Sequence, residues 1–132
     1  MTDKVVVLMT CGTRREAKRI ASRLVERRLA ACVNVLETPI RSTYRWKGRV
    51  ETAAEYLLLA KTARKLLSAL RAEVERMHSY EVPEVIALPI VGGSAAYLRW
   101  LGECLGPARR MRHRVTETQR TKKKKRGGAQ GR

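Results

Sequence analysis

The stretch Lys4-Val5-Val6-Val7-Leu8-Met9-Thr10-Cys11-Gly12-Thr13-Arg14-Arg15-Glu16 decides the fold. Its first eight residues are rich in β-branched side chains and apolar at consecutive positions, which predicts a strand. Gly12-Thr13 breaks that strand. Thr13 is placed to cap a helix, and Glu16 three residues on completes a capping-box pattern. From Arg14 to Arg28 the apolar positions Ala17, Ile20, Ala21, Leu24 and Val25 keep helical spacing. Arg27 and Arg28 fall in the last turn, where the helix dipole favours cations.

Outward from this unit the pattern repeats. Ala31 to Leu36 reads as a second strand ending near Pro39, and Ile40 to Trp46 continues as extended chain to a turn at Lys47-Gly48. Arg49 to Lys61 returns as a long strand with Tyr56 to Ala60 as its apolar centre. Thr62 is the expected start of a second helix, on whose single stripe lie Leu66, Leu67, Leu70, Val74 and Met77. After the turn-rich His78-Ser79-Tyr80-Glu81-Val82-Pro83, Glu84 to Val91 reads as a fourth strand. Pro89 assigns it to a sheet edge, since proline donates no ladder bond. Ala95 to Leu105 is a last, short helix.

The order β-α-β-β-α-β-α predicts an α+β protein: a ferredoxin-like βαββαβ protomer with a C-terminal helix. Both long helices would cover one face of an antiparallel sheet. The other face is normally wet, and its strands then alternate apolar with polar. These strands do not: Val5 to Met9, Leu57 to Ala60 and Val85 to Leu88 are apolar throughout. At about 25 cal/mol per Å² of buried apolar surface, a second copy covering that face contributes several kcal/mol per protomer. Homo-oligomerisation is therefore expected.

At 132 residues one domain is expected, and the formal charge of +17 is unevenly placed. Residues 1–106 form the expected folded domain. Residues 107–132 hold eleven Lys or Arg and one acid, including Arg109, Arg110, Arg112, Arg114 and the run Lys122-Lys123-Lys124-Lys125-Arg126. Such a tail is expected to be disordered from about Arg114. It is either a solvated extension or a nonspecific binder of polyanions such as nucleic acid. No aromatic residue is interleaved to stack on bases. Arg14 and Arg15, at a helix start whose N–H groups point outward, are a second candidate anion site.

Other classes are set aside by pattern. No apolar run approaches the length of a membrane span, and the N-terminal run is too short for a signal-peptide core. Three cysteines without C-x-x-C spacing agree with a reducing compartment, so a cytoplasmic location is expected. Nucleophile elbow, P-loop and dinucleotide fingerprint are missing, which argues against an enzyme and against an organic cofactor. The first strand has no aromatic and no RNP1-like run follows, which excludes base stacking on the sheet as in RNA-recognition modules.

Val5-Val6-Val7-Leu8, Leu29-Ala30-Ala31-Cys32-Val33-Asn34, Tyr44-Arg45-Trp46-Lys47-Gly48, Glu81-Val82-Pro83-Glu84 and Ala96-Tyr97-Leu98-Arg99-Trp100-Leu101 together resemble the CutA family of divalent-cation tolerance proteins. The likeness runs from about Lys4 to Leu105. It implies a compact homotrimer with the sheets packed inside, and an architecture like that of PII signalling proteins. It also implies a link to copper or another divalent metal ion, held loosely in clefts between subunits. The alternative is a PII-like binding module for an anionic effector. Two departures stand out. Gly12 replaces the family's usual proline after the first strand, and Ser79 replaces a proline frequent in the His-Pro-Tyr-Glu pattern. A less rigid loop after the second helix is expected from the latter.

His78 matches a position proposed as a copper ligand in the family, and imidazole suits that metal. The plainer reading is a histidine that only favours a helix C-terminus. Met9 takes the place of the family's cysteine ligand, with core packing as the alternative. Cys11, on the same side of a regular strand, is placed to supply the missing thiolate, or is a half-buried free thiol. Glu81 and Glu84 flank Val82-Pro83 and suit a divalent cation, or fix a loop at a subunit junction. Tyr80 is placed to hydrogen-bond across the same cleft. Tyr44 and Trp46, on an extended arm, are expected to anchor a subunit contact. Cys32 reads as a buried small hydrophobe, Cys104 as partly exposed, and Trp100 as packing the last helix on the sheet.

Overall fold

The computed structural model describes residues 2–107, so the run Lys122 to Arg126 and the expected disorder after Arg114 lie outside the described residues. Lys4–Cys11 forms the first strand, β1, and Arg14–Glu26 the helix α1. The Thr13 hydroxyl accepts the Glu16 N–H at 3.1 Å, so the expected cap is present. The capping box is only half made, because the Glu16 carboxylate turns to Ser79 instead. The helix stops two residues before the expected Arg28. That residue adopts the left-handed backbone with φ 60°, and Leu29 N–H returns to Leu24 O at 2.9 Å, which ends the helical ladder.

The remaining strands are β2 (Cys32–Val35), β3 (Ile40–Trp46), β4 (Arg49–Ala63) and β5 (Val85–Pro89). A 3₁₀ turn at Arg64–Leu66 leads into α2 (Leu67–Met77), and α3 spans Ala95–Glu103. Thr62 does not start the second helix. It is a fully buried strand residue whose hydroxyl donates to Leu29 O at 2.7 Å, and that bond holds the chain extended one residue longer. A β-branched threonine suits a strand as well as a cap, so local chemistry left both open.

Every strand pairing is antiparallel, in the order β2-β4-β1-β5. β5 lies at the edge, as Pro89 requires. β3 pairs only with the outer part of β4, from Ile40 opposite Glu55 to Trp46 opposite Arg49, and so makes a two-stranded arm. One face of the sheet is the core. Val5, Val7, Met9 and Cys11 of β1 with Leu58 and Ala60 of β4 meet Ala17, Ile20 and Leu24 of α1 and Leu70 and Val74 of α2. A second cluster of Ala31, Ala63, Leu101 and Leu105 seats α3, with Trp100 and Cys104 packed beside it.

The opposite face carries Val6, Leu8, Leu57, Leu59, Ile86 and Leu88. The register places Leu8 against both Leu59 and Ile86, and Val6 against Leu88. Ile86 and Leu88 are each 51% exposed in the protomer. The non-alternating pattern thus has its physical counterpart in an apolar sheet face that the described residues leave largely uncovered. Cys32, opposite Lys61, lies on this face and is half-buried, not the fully buried residue its pattern suggested. α1 and α2 occupy the other side; among the described residues α3 reaches only the end of this face, at Ala63 and Lys4, and leaves Ile86 and Leu88 open.

Candidate functional site

β1, α1 and α2 bring their ends together, and the side chains at those ends form one buried polar cluster. His78 caps α2, and its imidazole has no exposed surface. The Tyr80 N–H donates to its Nδ1 at 3.0 Å, which places the proton on Nε2; Nε2–H then donates to the Thr10 carbonyl at 2.7 Å. Glu16, in the first turn of α1, accepts the Ser79 N–H at 2.6 Å through Oε2 and the Ser79 hydroxyl at 3.1 Å through Oε1. A proline at 79 would offer neither donor. The loop expected to be less rigid is therefore tied down by the serine that replaces it. Gly12 completes the fit: a Cβ there would stand 3.2 Å from the Tyr80 hydroxyl oxygen.

Cys11 ends β1 beside this cluster. Burial pushes its thiol up to about 12, with the Glu16 and Glu55 carboxylates adding to the shift. One donor atom each from Cys11, Glu16 and His78 lies within 4.8 Å of the others. These types fit a soft or borderline divalent ion. The arrangement is closed by its own hydrogen bonds, however. Both imidazole nitrogens and both Glu16 oxygens are engaged, and the sulfur keeps its proton. A metal bound here would displace the thiol proton and exchange at least one of those bonds. Met9, two residues before Cys11 on the same side of β1, is wholly buried among core side chains.

The other sequence-predicted residues gather elsewhere. Glu81, Glu84, Tyr44 and Trp46 line one cleft of about 590 Å³, together with Glu55 and Tyr80. Glu81 and Glu84 are exposed, whereas Glu55 is only 7% exposed. The Tyr80 hydroxyl donates to Glu55 Oε2 at 2.8 Å, and burial, then this bond, raises the phenol above its ordinary value. Tyr80 thus joins the two groups: its backbone holds His78 and its side chain reaches into the cleft. Among the described residues three carboxylates and no Lys or Arg line that cleft, in a chain of formal charge +17. Arg14 and Arg15 are exposed on the first turn of α1.

Sequence reasoning missed Glu16 and Glu55. Glu16 was read as a cap. Glu55 does carry a signal, as the one acid directly before the apolar centre of β4, but its partner is 25 residues away.

These features define a small antiparallel α+β protein with a carboxylate- and aromatic-lined cleft beside a buried cysteine–histidine–carboxylate cluster. Residues 5–104 match the model of the CutA1 divalent ion tolerance protein family, and the chain belongs to that family. It is 46% identical over 101 residues to the divalent-cation tolerance protein CutA of Thermus thermophilus, covering 76% of this chain and 97% of that one. The solved structure of the Thermus thermophilus protein superposes with a TM-score of 0.76, covering 78% of this chain and 99% of the other. The structure described as the periplasmic divalent cation tolerance protein CutA from Archaeoglobus fulgidus, 39% identical, gives 0.75 over 78% and 99%. A chloroplastic CutA of rice is 48% identical over 97 residues; the chain spans 54% of its length. Among the described residues no helix is long and apolar enough to cross a membrane.

Proposed function

We propose that the chain is a cytoplasmic metal-response protein: a homotrimer of ferredoxin-like protomers that binds copper or another divalent ion loosely at clefts between subunits. The single observation that carries this reading is the cleft of Glu55, Glu81 and Glu84, cation-seeking in an otherwise cationic chain of the divalent ion tolerance family. Carboxylate oxygens suit hard divalent ions, and the adjoining Cys11–Glu16–His78 cluster holds a sulfur and a nitrogen of the kind copper prefers, which would become ligands only by loss of the thiol proton and exchange of a His78 hydrogen bond. Bound there, the metal would supply a charge that binds the two groups together. Tyr80, which bonds to both, is placed to feel its arrival. Assembly is supported by the uncovered sheet face and by Tyr44 and Trp46, 44% and 39% exposed on the arm. A two-stranded arm is marginal alone and gains from a partner. Three free cysteines agree with a reducing compartment. We assign no catalytic step, because His78 has both nitrogens engaged in holding the loop.

The test is a chelator-competed copper titration of the reduced protein, with native mass spectrometry to count subunits. Saturable binding is expected, weakened by Cys11→Ala and by the pair Glu81→Gln, Glu84→Gln. Non-saturable binding indifferent to all three substitutions would remove the metal reading, and a monomer at micromolar concentration would remove the trimer.

A further inference from the structure

The carboxylate cleft has a second feature, which a bare metal ion does not use. Three of its lining side chains are aromatic: Tyr44 and Trp46 from the arm and Tyr80 from the loop after α2. A metal ion is held by oxygen, nitrogen or sulfur donors, and the face of an indole or phenol ring offers none of these. Those faces carry negative charge density and attract organic cations, with the indole the strongest of the three. The size points the same way. The cleft measures about 590 Å³. Sites for small organic molecules run from about 300 to 1,000 Å³.

Glu55 supplies the independent sign of a ligand. It is a buried carboxylate, and the Tyr80 hydroxyl serves only its Oε2. Among the described residues no hydrogen bond reaches Oε1. Nor is Oε1 sealed off, since every fully buried side-chain oxygen or nitrogen among those residues has a partner. Oε1 therefore faces the open space of the cleft that Glu55 lines. A carboxylate oxygen held there in a low-dielectric wall is a strong acceptor for a cationic N–H donor. Glu81 and Glu84 are exposed, so the carboxylates stand at two depths.

The arm shows that its indole already takes an alkylammonium. The Lys47 Nζ stands 5.9 Å from the centre of the Trp46 ring, within the range of a cation–π contact. Lys47 is exposed and lies outside the cleft lining, so it is free to leave the ring to a ligand. The rest of the chain works against loose capture of cations. With a formal charge of +17, it repels them wherever carboxylates are not gathered.

We propose that this cleft binds a linear aliphatic di- or polyamine. One ammonium donates to Glu55 Oε1, a second meets Glu81 and Glu84, and the methylene chain lies against the rings of Tyr44 and Trp46. Aliphatic amines are cationic at neutral pH, as lysine is. Carboxylates at two depths suit a ligand charged at two points, and the aromatic faces suit the apolar chain that joins them. The inference does not rest on the metal reading: it needs neither the Cys11–Glu16–His78 cluster nor a bound ion.

The test is isothermal titration of the full chain, stripped of metal by chelator and dialysis, with spermidine at constant ionic strength. Saturation below about 1 mM is expected, with butylamine at least about tenfold weaker and an uncharged diol of similar length not binding. Glu55→Gln keeps an acceptor for the Tyr80 hydroxyl and should weaken spermidine about tenfold. Trp46→Leu should weaken it about threefold to tenfold. Lys47→Gln frees the ring and should tighten binding about twofold to threefold. That gain is a result a loosened oligomer would not give, so it separates a ligand role for Trp46 from its role in assembly. Absence of saturable spermidine binding would overturn the proposal, as would an affinity unchanged in Glu55→Gln or unchanged in both arm variants. Butylamine binding as tightly as spermidine would overturn the two-point contact. Copper binding without spermidine binding would sink this inference and leave the metal reading standing; spermidine binding without copper binding would do the reverse.

Discussion

His78→Ala separates a structural role for the buried cluster from a metal-binding one. The imidazole has no exposed surface, and it partners the Thr10 carbonyl at 2.7 Å and the Tyr80 N–H at 3.0 Å. Alanine leaves both backbone groups without that partner, at about 1 to 3 kcal/mol each, and leaves a cavity where the ring stood. A loss of about 3 to 5 kcal/mol in metal-free protein is expected, with water entry favouring the lower end. His78→Gln keeps a donor for the Thr10 carbonyl and should recover about 1 kcal/mol. The assay is guanidinium unfolding at fixed protein concentration in a chelator, since assembly would make the midpoint depend on concentration. A loss below about 1 kcal/mol for Ala, or no difference between Ala and Gln, would refute the hydrogen-bond reading.

Two further outcomes follow from the same geometry. The Cys11 thiol keeps its proton up to about 12 when folded, against the ordinary 9.0, so between those values the native state binds more protons than the unfolded one. Stability should be whole below pH 9 and fall as pH rises from about 9 to 12. Cys11→Ala should remove up to one proton from that dependence in urea melts taken across the range, and the raised Tyr80 phenol leaves a residual slope of the same sign. On the uncovered sheet face, Ile86→Asp should dissociate the oligomer by putting a charge where a neighbour would pack, and Trp46→Ala should weaken it. Sedimentation velocity at low micromolar concentration checks both; unchanged mass in Ile86→Asp would show that the face is not the subunit contact.

Much of the fold was legible because its signals are local. The consecutive apolar residues of β1, the helical spacing of Ala17, Ile20 and Leu24, and Pro89 at the sheet edge each report a neighbourhood of a few residues. The misreadings fall where one residue had two local uses. Thr62 suits a strand or a cap, and only the carbonyl of Leu29, 33 residues away, decides between them. Glu16 suits a capping box, and its real partner is Ser79, 63 residues on.

The candidate site divides in the same way. Donor types and their chain positions showed that His78, Cys11, Glu81 and Glu84 were chemically apt, and that Tyr44 and Trp46 sat on an arm. Their grouping was not legible. Tertiary structure put Cys11 and His78 with Glu16 in a buried cluster, and sent Glu81 and Glu84 to an open cleft with Glu55. It placed Met9 in the core and made Tyr80 the link between cluster and cleft.

The sequence by itself determined the order of elements, the apolarity of both sheet faces and the surplus of positive charge, because periodicity and composition belong to the chain. Only the tertiary structure decided which buried polar groups satisfy one another. A hydrogen bond about 3 Å long between residues tens of positions apart leaves no mark on either residue's neighbours in sequence; it exists only once packing has brought the ends of β1, α1 and α2 together.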